Sequence, residues 1–287
     1  MIQVLALGAA LFYGAADFFG GLTARRANTI ATVVVSQFVG LLLLVAALPF
    51  LPAAVVSPRD WLWGVCAGLS GGGGVALLYR ALAVGTMAVV APITAVVSAI
   101  IPVLFGFAMG ERVGLLTAGG IVLALMAIVL VSQQPSASQE KGSLLRSGGL
   151  PPGVMLALLA GVVVGIFLLS LARTSSASGM WPLVAARLTS VTLFGVAALV
   201  TGKSLRMRRP ATITAATGGS LDMLANVLMM LAARVGPLSI VVTLVSLYPA
   251  GTVILARFVL REHLSFVQNA GIACALLAVI LIVGTAG

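Results

Sequence analysis

Charged side chains are scarce in this sequence. Only 8% of the 287 residues are charged and 61% are hydrophobic, whereas ordinary soluble domains carry about 25% charged residues. A soluble core of this length cannot bury so much apolar surface, so most side chains must contact lipid. The composition therefore excludes an ordinary soluble domain and predicts an all-α integral membrane protein, in which each helix satisfies its own backbone hydrogen bonds.

Histidine and cysteine are almost absent. The single histidine, His263, and the two cysteines, Cys66 and Cys274, show neither metal-ligand spacing nor a pairing pattern. The spans offer no serine, histidine and acid set for nucleophilic catalysis. The glycine run at residues 71–74 is not followed by the Gly-Lys-Ser/Thr of a phosphate-binding loop. The sequence therefore predicts no enzymatic activity, no metal site and no cofactor.

Acidic residues are also few, with six against sixteen basic ones and a net charge of +10. On a soluble protein this balance would suggest nucleic acid. Here most basic residues flank apolar runs and are not interleaved with aromatic side chains, which is typical of topology control and contact with anionic lipid. The predicted partners are the bilayer, a small solute and a coupling proton or other gradient, and not nucleic acid.

The apolar runs match the length of a membrane-spanning helix, which needs about 20 residues. We predict ten transmembrane helices, over residues 2–22, 29–51, 61–84, 86–108, 113–132, 153–172, 180–201, 211–233, 237–258 and 266–285. The one long polar connection, residues 133–152, is rich in Ser, Gly and Pro and is predicted to be a linker.

The linker separates two halves, residues 1–132 and 153–287, that resemble each other. Under a shift of 151 residues several landmarks coincide: Gly14 with Gly165, Gly68 with Gly219, Gly85 with Gly236, Glu111 with Glu262, and Gly120 with Gly271. Because five spans per half is an odd number, the second copy must cross the membrane in the opposite direction. Inverted repeats of this kind are an architecture of transporters, with the substrate site between the halves.

The second half contains a segment that resembles a known family. The run GPLSIVVTLVSLYPAGTVILARFVLREHLSFVQNAGIACALLAVILIVG, residues 236–284, is similar to the second EamA repeat of the drug/metabolite transporter superfamily. The similarity lies in LVSLYP ending at Pro249, in Arg261-Glu262, and in Gln268 followed by Gly271. In the first half, Gly110-Glu111-Arg112 is the matching turn, and LFYGAADFFGG is similar to the family's first helix.

The resemblance implies a ten-helix carrier of small metabolites, driven by protons or another gradient and often an exporter. It does not name the substrate. The two halves differ at the position of Pro249, whose equivalent in the first half under the shift is Ser98. We therefore expect the fourth and ninth helices to bend differently.

Four ionisable residues fall inside predicted spans: Asp17, Arg187, Asp222 and Arg257. Such residues cost about 2.5–3.5 kcal/mol on insertion scales and are functional candidates by default. Asp222 lies near the midplane, with Asn226 one turn further on the same face, and is the favoured proton or amine site. A structural interhelical hydrogen bond is the alternative for Asp222.

The other candidates each have two interpretations. Asp17, which shares a helix face with Phe18, would suit an amine or hydroxyl, or would pair with Arg25 or Arg26. Arg187 would hold a substrate carboxylate or phosphate, or would balance Asp222. The aromatic residues Tyr13, Phe18 and Tyr248 would line the pocket or anchor the helices at the interface. Arg257, near a helix end, is expected to fix a loop.

Four consecutive glycines, Gly71, Gly72, Gly73 and Gly74, align with Asp222–Ala225 under the same shift. One hypothesis is that one side of this run packs on a neighbouring helix while the other side widens a cavity wall opposite Asp222. Helix packing alone is the competing explanation.

Loops after odd-numbered predicted helices hold nine basic residues and loops after even-numbered ones hold three. The positive-inside rule then places both termini outside the cell. The predicted function is secondary active transport by alternating access across a bacterial cytoplasmic membrane, with amino acids as the first candidate cargo because Asp and Arg together would grip a zwitterion. The alternative is a flippase for a lipid headgroup or lipid-linked sugar, which a lateral opening between helices would favour.

Overall fold

The structure is a computed structural model that describes residues 1–51, 53–110, 114–131 and 153–260, and nine residues between 266 and 281. Across these ranges the regular structure is helical and contains no strand. The predicted linker 133–152 and the paired glutamates Glu111 and Glu262 lie outside the described residues, as do Arg112, Arg261, His263 and Gln268.

The helices follow the predicted spans closely. They are α1 (Ile2–Ala24), α2 (Thr29–Ala47), α3 (Pro58–Val84), α4 (Met87–Ala108), α5 (Leu115–Val131), α6 (Val154–Ala172), α7 (Trp181–Val200), α8 (Arg209–Val235), α9 (Leu238–Val245) and α10 (Tyr248–Leu260). With α9 and α10 counted together, seven stretches of the described residues are long and apolar enough to cross a membrane, and α4 and α5 contain shorter apolar stretches. Only scattered residues of the predicted span 266–285 are described.

Helices α3 and α8 are the longest, with 27 residues each. Both begin next to a proline, and their bounds coincide under the 151-residue shift. At 1.5 Å per residue each is about 40 Å long, which exceeds the ~30 Å thickness of the hydrocarbon core. These two helices therefore cross the bilayer at a tilt or extend beyond it.

The start of α3 is fixed by a capping box. Asp60 accepts hydrogen bonds through Oδ2 from the Ser57 backbone N–H at 3.0 Å and the Ser57 hydroxyl at 2.7 Å. Its Oδ1 accepts from the Ser175 backbone N–H at 2.7 Å. This buried carboxylate therefore has partners on both oxygens, and it ties the first half to the second at one end of the molecule.

The two halves contact each other in matching pairs of helices. Helix α1 packs on α8 as α3 packs on α6, and α2 packs on α8 as α3 packs on α7. Likewise α4 packs on α6, while α1 packs on α9 and α10. Each contact becomes its counterpart when the first five predicted spans are exchanged for the second five, so the interface between the halves has approximate twofold symmetry.

Glycines lie where these helices cross most closely. A Cβ added at Gly68 would lie 2.5 Å from the Ala186 carbonyl oxygen, and one at Gly219 would lie 2.6 Å from the Ser36 Cα. Gly68 and Gly219 coincide under the shift, so the same crossing is made twice. Glycine at a crossing lets two helix backbones approach more closely than any side chain would allow.

The predicted ninth span, 237–258, is not one continuous helix. It is broken between Val245 and Tyr248. Pro249, which has no N–H to donate to the Val245 carbonyl, lies at the start of α10 and contributes to the break. In the first half, Ser98 occupies the equivalent position, and α4 runs unbroken. The fourth and ninth predicted spans therefore differ in shape as well as in sequence.

We predict that Gly219→Ala destabilises the protein by about 1–3 kcal/mol, because the added methyl group has no space against α2. Gly195→Ala in α7 is the matched control, since a Cβ there meets nothing within 4 Å, and it should be neutral or slightly stabilising. Thermal unfolding in detergent compares the two variants. Equal unfolding temperatures would contradict a tight α2–α8 crossing.

Candidate functional site

A cavity lies between the two halves. It leaves about 60 Å³ for the centres of water molecules, several times the ~10–15 Å³ that one water needs. Its walls come from α1, α2, α3, α4, α6, α7, α8 and the broken ninth span. The polar side chains among the described lining residues are Tyr13, Asp17, Gln37, Ser98, Arg187, Ser190, Asp222, Asn226, Ser246 and Tyr248.

Arg187 and Asp222 form an ion pair at the cavity wall. The Arg187 guanidinium donates one hydrogen bond to the Asp222 carboxylate and another to the Gln37 side-chain oxygen. The Ser190 hydroxyl donates to the same Gln37 oxygen at 3.2 Å. Arg187 was predicted to bind either a substrate anion or the Asp222 carboxylate, and in the structure it binds Asp222. The network joins α2, α7 and α8 and supplies both charges with partners.

A second polar chain joins α1 to α8. The Tyr13 hydroxyl donates to Asn226 Oδ1 at 2.8 Å. The Asn226 amide donates in turn to the Asp222 backbone carbonyl, one turn earlier, at 2.7 Å. Asp222 and Asn226 therefore share one helix face, as their spacing predicts, and both line the cavity.

Asp17 differs from the other buried charges. It is only 8% exposed and lines the cavity. Among the described residues, none donates a hydrogen bond to its carboxylate or forms an ion pair with it. Arg25, one predicted partner, instead donates to the Leu82 and Gly85 carbonyls, and the other, Arg26, is exposed. Asp17 is thus a buried carboxylate that faces a cavity without a counter-ion.

Phe18 does not reach the cavity. Its side chain is buried in the apolar core beside α3, and its ring lies edge-on to Phe19 at 5.6 Å between centroids. The i, i+1 neighbour of Asp17 points away from the cavity because successive residues of a helix lie about 100° apart. Tyr13 and Tyr248 do line the cavity, with ring centroids 6.3 Å apart.

The glycine run divides between the two interpretations. Gly71 and Gly72 line the cavity together with Asp222. Gly73 and Gly74 do not line it; their neighbours are the Val163 and Val164 side chains of α6. A Cβ at Gly71 would also lie 2.8 Å from the Phe167 ring, and one at Gly72 would lie 2.6 Å from the Ser190 Cβ, so both hypotheses apply to these two glycines. Close packing also applies to Gly74, whereas a Cβ at Gly73 would meet its nearest neighbour only at 3.8 Å.

The remaining sequence candidate, Arg257, is exposed near the end of α10 and away from the cavity. Four further polar residues that line the cavity were not predicted as site residues from the sequence: Gln37, Ser98, Ser190 and Ser246. Gln37 could have been found, because it is the one amide side chain in the predicted second span. The serines carry little signal, since a helical serine often bonds only to its own backbone.

The chain is similar to one protein family in sequence and to a solved structure in fold. A model of the EamA-like transporter family matches it twice, over residues 1–133 and 151–284. A solved structure described only as a crystal structure of a protein shares 16% sequence identity, with a TM-score of 0.71 over 98% of this chain and 95% of the other. No curated protein matches the chain.

The chain is a multi-pass membrane protein that belongs to the EamA-like transporter family. At 16% identity the solved structure supports the fold alone.

We predict that Arg187→Gln and Asp222→Asn each destabilise the protein by about 3–5 kcal/mol, because each leaves one buried charge without its partner. The double variant should lose less than the sum of the two. Arg80→Gln, at an exposed position in α3, is the control and should change stability by no more than about 0.5 kcal/mol. Additive losses in a double-mutant cycle of thermal unfolding would exclude coupling between the two side chains.

Proposed function

We propose that this protein is a secondary carrier that moves a small solute across a bacterial cytoplasmic membrane by alternating access. The observation that carries the proposal is the cavity between the two halves, which is lined by three ionisable side chains. Asp17 and Arg187 are buried, and Asp222 is partly buried. A purely structural bundle has no use for such a cavity in lipid, where charged side chains are costly.

In this proposal the two matched segments are inverted five-helix repeats, residues 1–132 and 153–287, joined by the linker. The pairwise exchange of helix contacts supports such a symmetry. Because each repeat has an odd number of spans, the axis that relates the two repeats lies in the membrane plane. Rocking of one repeat against the other would then open the cavity to each side in turn.

The charges in the cavity have different roles in the proposed cycle. Arg187 and Asp222 satisfy each other and link α7 to α8, both of which pack on α2, so we assign them a positioning role in the closed form. A zwitterionic amino acid would have to break this pair before it could bind to either group. Asp17 has no such partner, and a proton or a cationic group would relieve its burial. We therefore place the cation-binding site of the cycle at Asp17.

The basic loops set the proposed orientation. Arg25 and Arg26 follow α1, and Lys203, Arg206 and Arg208 lie between α7 and α8. The antiparallel packing of α1 on α8 brings these loops to the same end of the molecule. By the positive-inside rule that end is cytoplasmic, with the N-terminus on the opposite side.

Reconstitution into liposomes tests the proposed function. Purified protein should move solute down an imposed gradient and accumulate it when a proton gradient is added. The solute is chosen by screening amines, amino acids and sugars for thermal stabilisation of the purified protein. Protein-dependent scrambling of labelled lipid without solute flux would instead support the flippase.

The break in the ninth span gives a mechanistic prediction. Pro249→Ala should let α9 and α10 join, as the equivalent Ser98 lets α4 continue, and should slow solute flux by about tenfold while solute binding persists. Pro102→Ala, in the unbroken helix α4, is the matched control and should leave flux close to that of the parent protein. Equal flux for the parent protein and both proline variants would show that the break in the ninth span has no role in transport.

A further inference from the structure

The cavity has one polar and one apolar face, and the two faces are related by the 151-residue shift. On the polar face are Tyr13 and Asp17 of α1 and Asp222 and Asn226 of α8. The positions equivalent to these four are Val164, Leu168, Gly71 and Val75, which also line the cavity. Each polar side chain thus has a counterpart with no polar side-chain atom across the approximate twofold axis.

The net charge of the cavity is negative. Arg187 and Asp222 cancel each other as an ion pair, and Asp17 is the remaining charged group among the described lining residues. Asp17 as a residue is 8% exposed, and none of the described residues pairs with its carboxylate, which faces the cavity. Asp60, by contrast, is the buried carboxylate whose two oxygens are both occupied. A ligand with one positive charge would supply the counter-ion that the described lining residues do not give Asp17.

Two aromatic rings stand beside Asp17. Tyr13 lies one helical turn before Asp17 on α1, its ring centroid is 6.3 Å from that of Tyr248, and all three residues line the cavity. The hydroxyl of Tyr13 is already engaged with Asn226. Aromatic faces next to a carboxylate favour an alkylammonium group, which gains from the ring electrons as well as from the charge. An inorganic cation would find few oxygen ligands there, because the opposite wall is aliphatic.

The size of the cavity limits the ligand. About 60 Å³ for water centres corresponds to about four to six water-sized groups. A short alkylamine fits this volume.

We infer that the cargo is a small amphipathic monocation, whose ammonium group binds to Asp17 between Tyr13 and Tyr248 and whose alkyl body packs on Val75, Val164 and Leu168. This inference rests on the proposed transport function and adds the chemical class of the cargo. It also disfavours a zwitterion, because a carboxylate on the cargo would meet the aliphatic wall.

Calorimetric titration of the purified protein in nanodiscs tests the assignment with four probes of matched size. These are n-butylammonium, 1-butanol, butyrate and 3-aminopropanol, which replaces the terminal methyl of butylamine with a hydroxyl. We expect n-butylammonium to bind about tenfold or more tightly than the neutral and anionic probes, and more tightly than 3-aminopropanol. Equal binding of butanol or butyrate, or no binding of n-butylammonium, would overturn the inference.

The variant pair is Asp17→Asn and Asp60→Asn. Each removes one buried carboxylate in α1 or α3, but only the first should weaken n-butylammonium binding, by about tenfold or more. Thermal unfolding shows that each variant is folded, and binding that survives Asp17→Asn unchanged in a folded protein would contradict the assignment.

Flux separates this inference from the proposed function. Ethyltrimethylammonium carries a permanent charge and does not leak through lipid as an uncharged amine, so it serves as the transport probe in proteoliposomes. Binding without protein-dependent flux of this or any screened solute would overturn the transport proposal and leave the cation assignment standing. Flux of anions or zwitterions but not of cations would support the transport proposal and overturn the cation assignment.

Discussion

The structure depends on one constraint, that an ionised side chain in lipid must have a partner. Arg187 meets it with Asp222 and Gln37, each from a different helix. The three groups therefore fix the relative positions of α2, α7 and α8, and they do so across the boundary between the halves. Ser190 extends the same network by one hydrogen bond. Asp17 is the described cavity carboxylate that does not follow this pattern.

The polar network requires close helices, and the glycines provide them. Gly68 brings α3 against α7, and Gly219 brings α8 against α2. A side chain at either crossing would separate the helices and lengthen the hydrogen bonds that Arg187 makes. Packing and charge pairing are thus two parts of one arrangement, in which the first sets the distances that the second needs.

Much of the fold could be predicted because its signals are local. The apolar runs mark the helices, and the 151-residue shift relates Gly68 to Gly219, which the structure places at matching crossings. The break in the ninth span was harder to place. Pro249 indicated a bend there, but a proline in a membrane helix is compatible with either a kink or a full interruption.

The site was predicted less completely, for reasons of geometry. Helical spacing placed Asp222 and Asn226 on one face, but the choice between a substrate and Asp222 as the partner of Arg187 depends on how α2 packs on both α7 and α8. Phe18 was assigned to the pocket because helical spacing places it on one face with Asp17, and spacing alone does not show which neighbour that face meets. Gln37 carried a usable signal, whereas Ser190 and Ser246 did not.

The unequal shape of α4 and the ninth span has a thermodynamic consequence. Two identical halves related by an axis in the membrane plane would be interchangeable by a half-turn, so two forms that differ only in the roles of the halves would have equal free energy. The ninth span is interrupted next to Pro249, whereas its counterpart with Ser98 is whole, and Asp17 has Leu168 at the equivalent position. Exchanging the roles of the halves therefore no longer returns the same molecule, and the two forms that such an exchange would relate are unequally populated at rest.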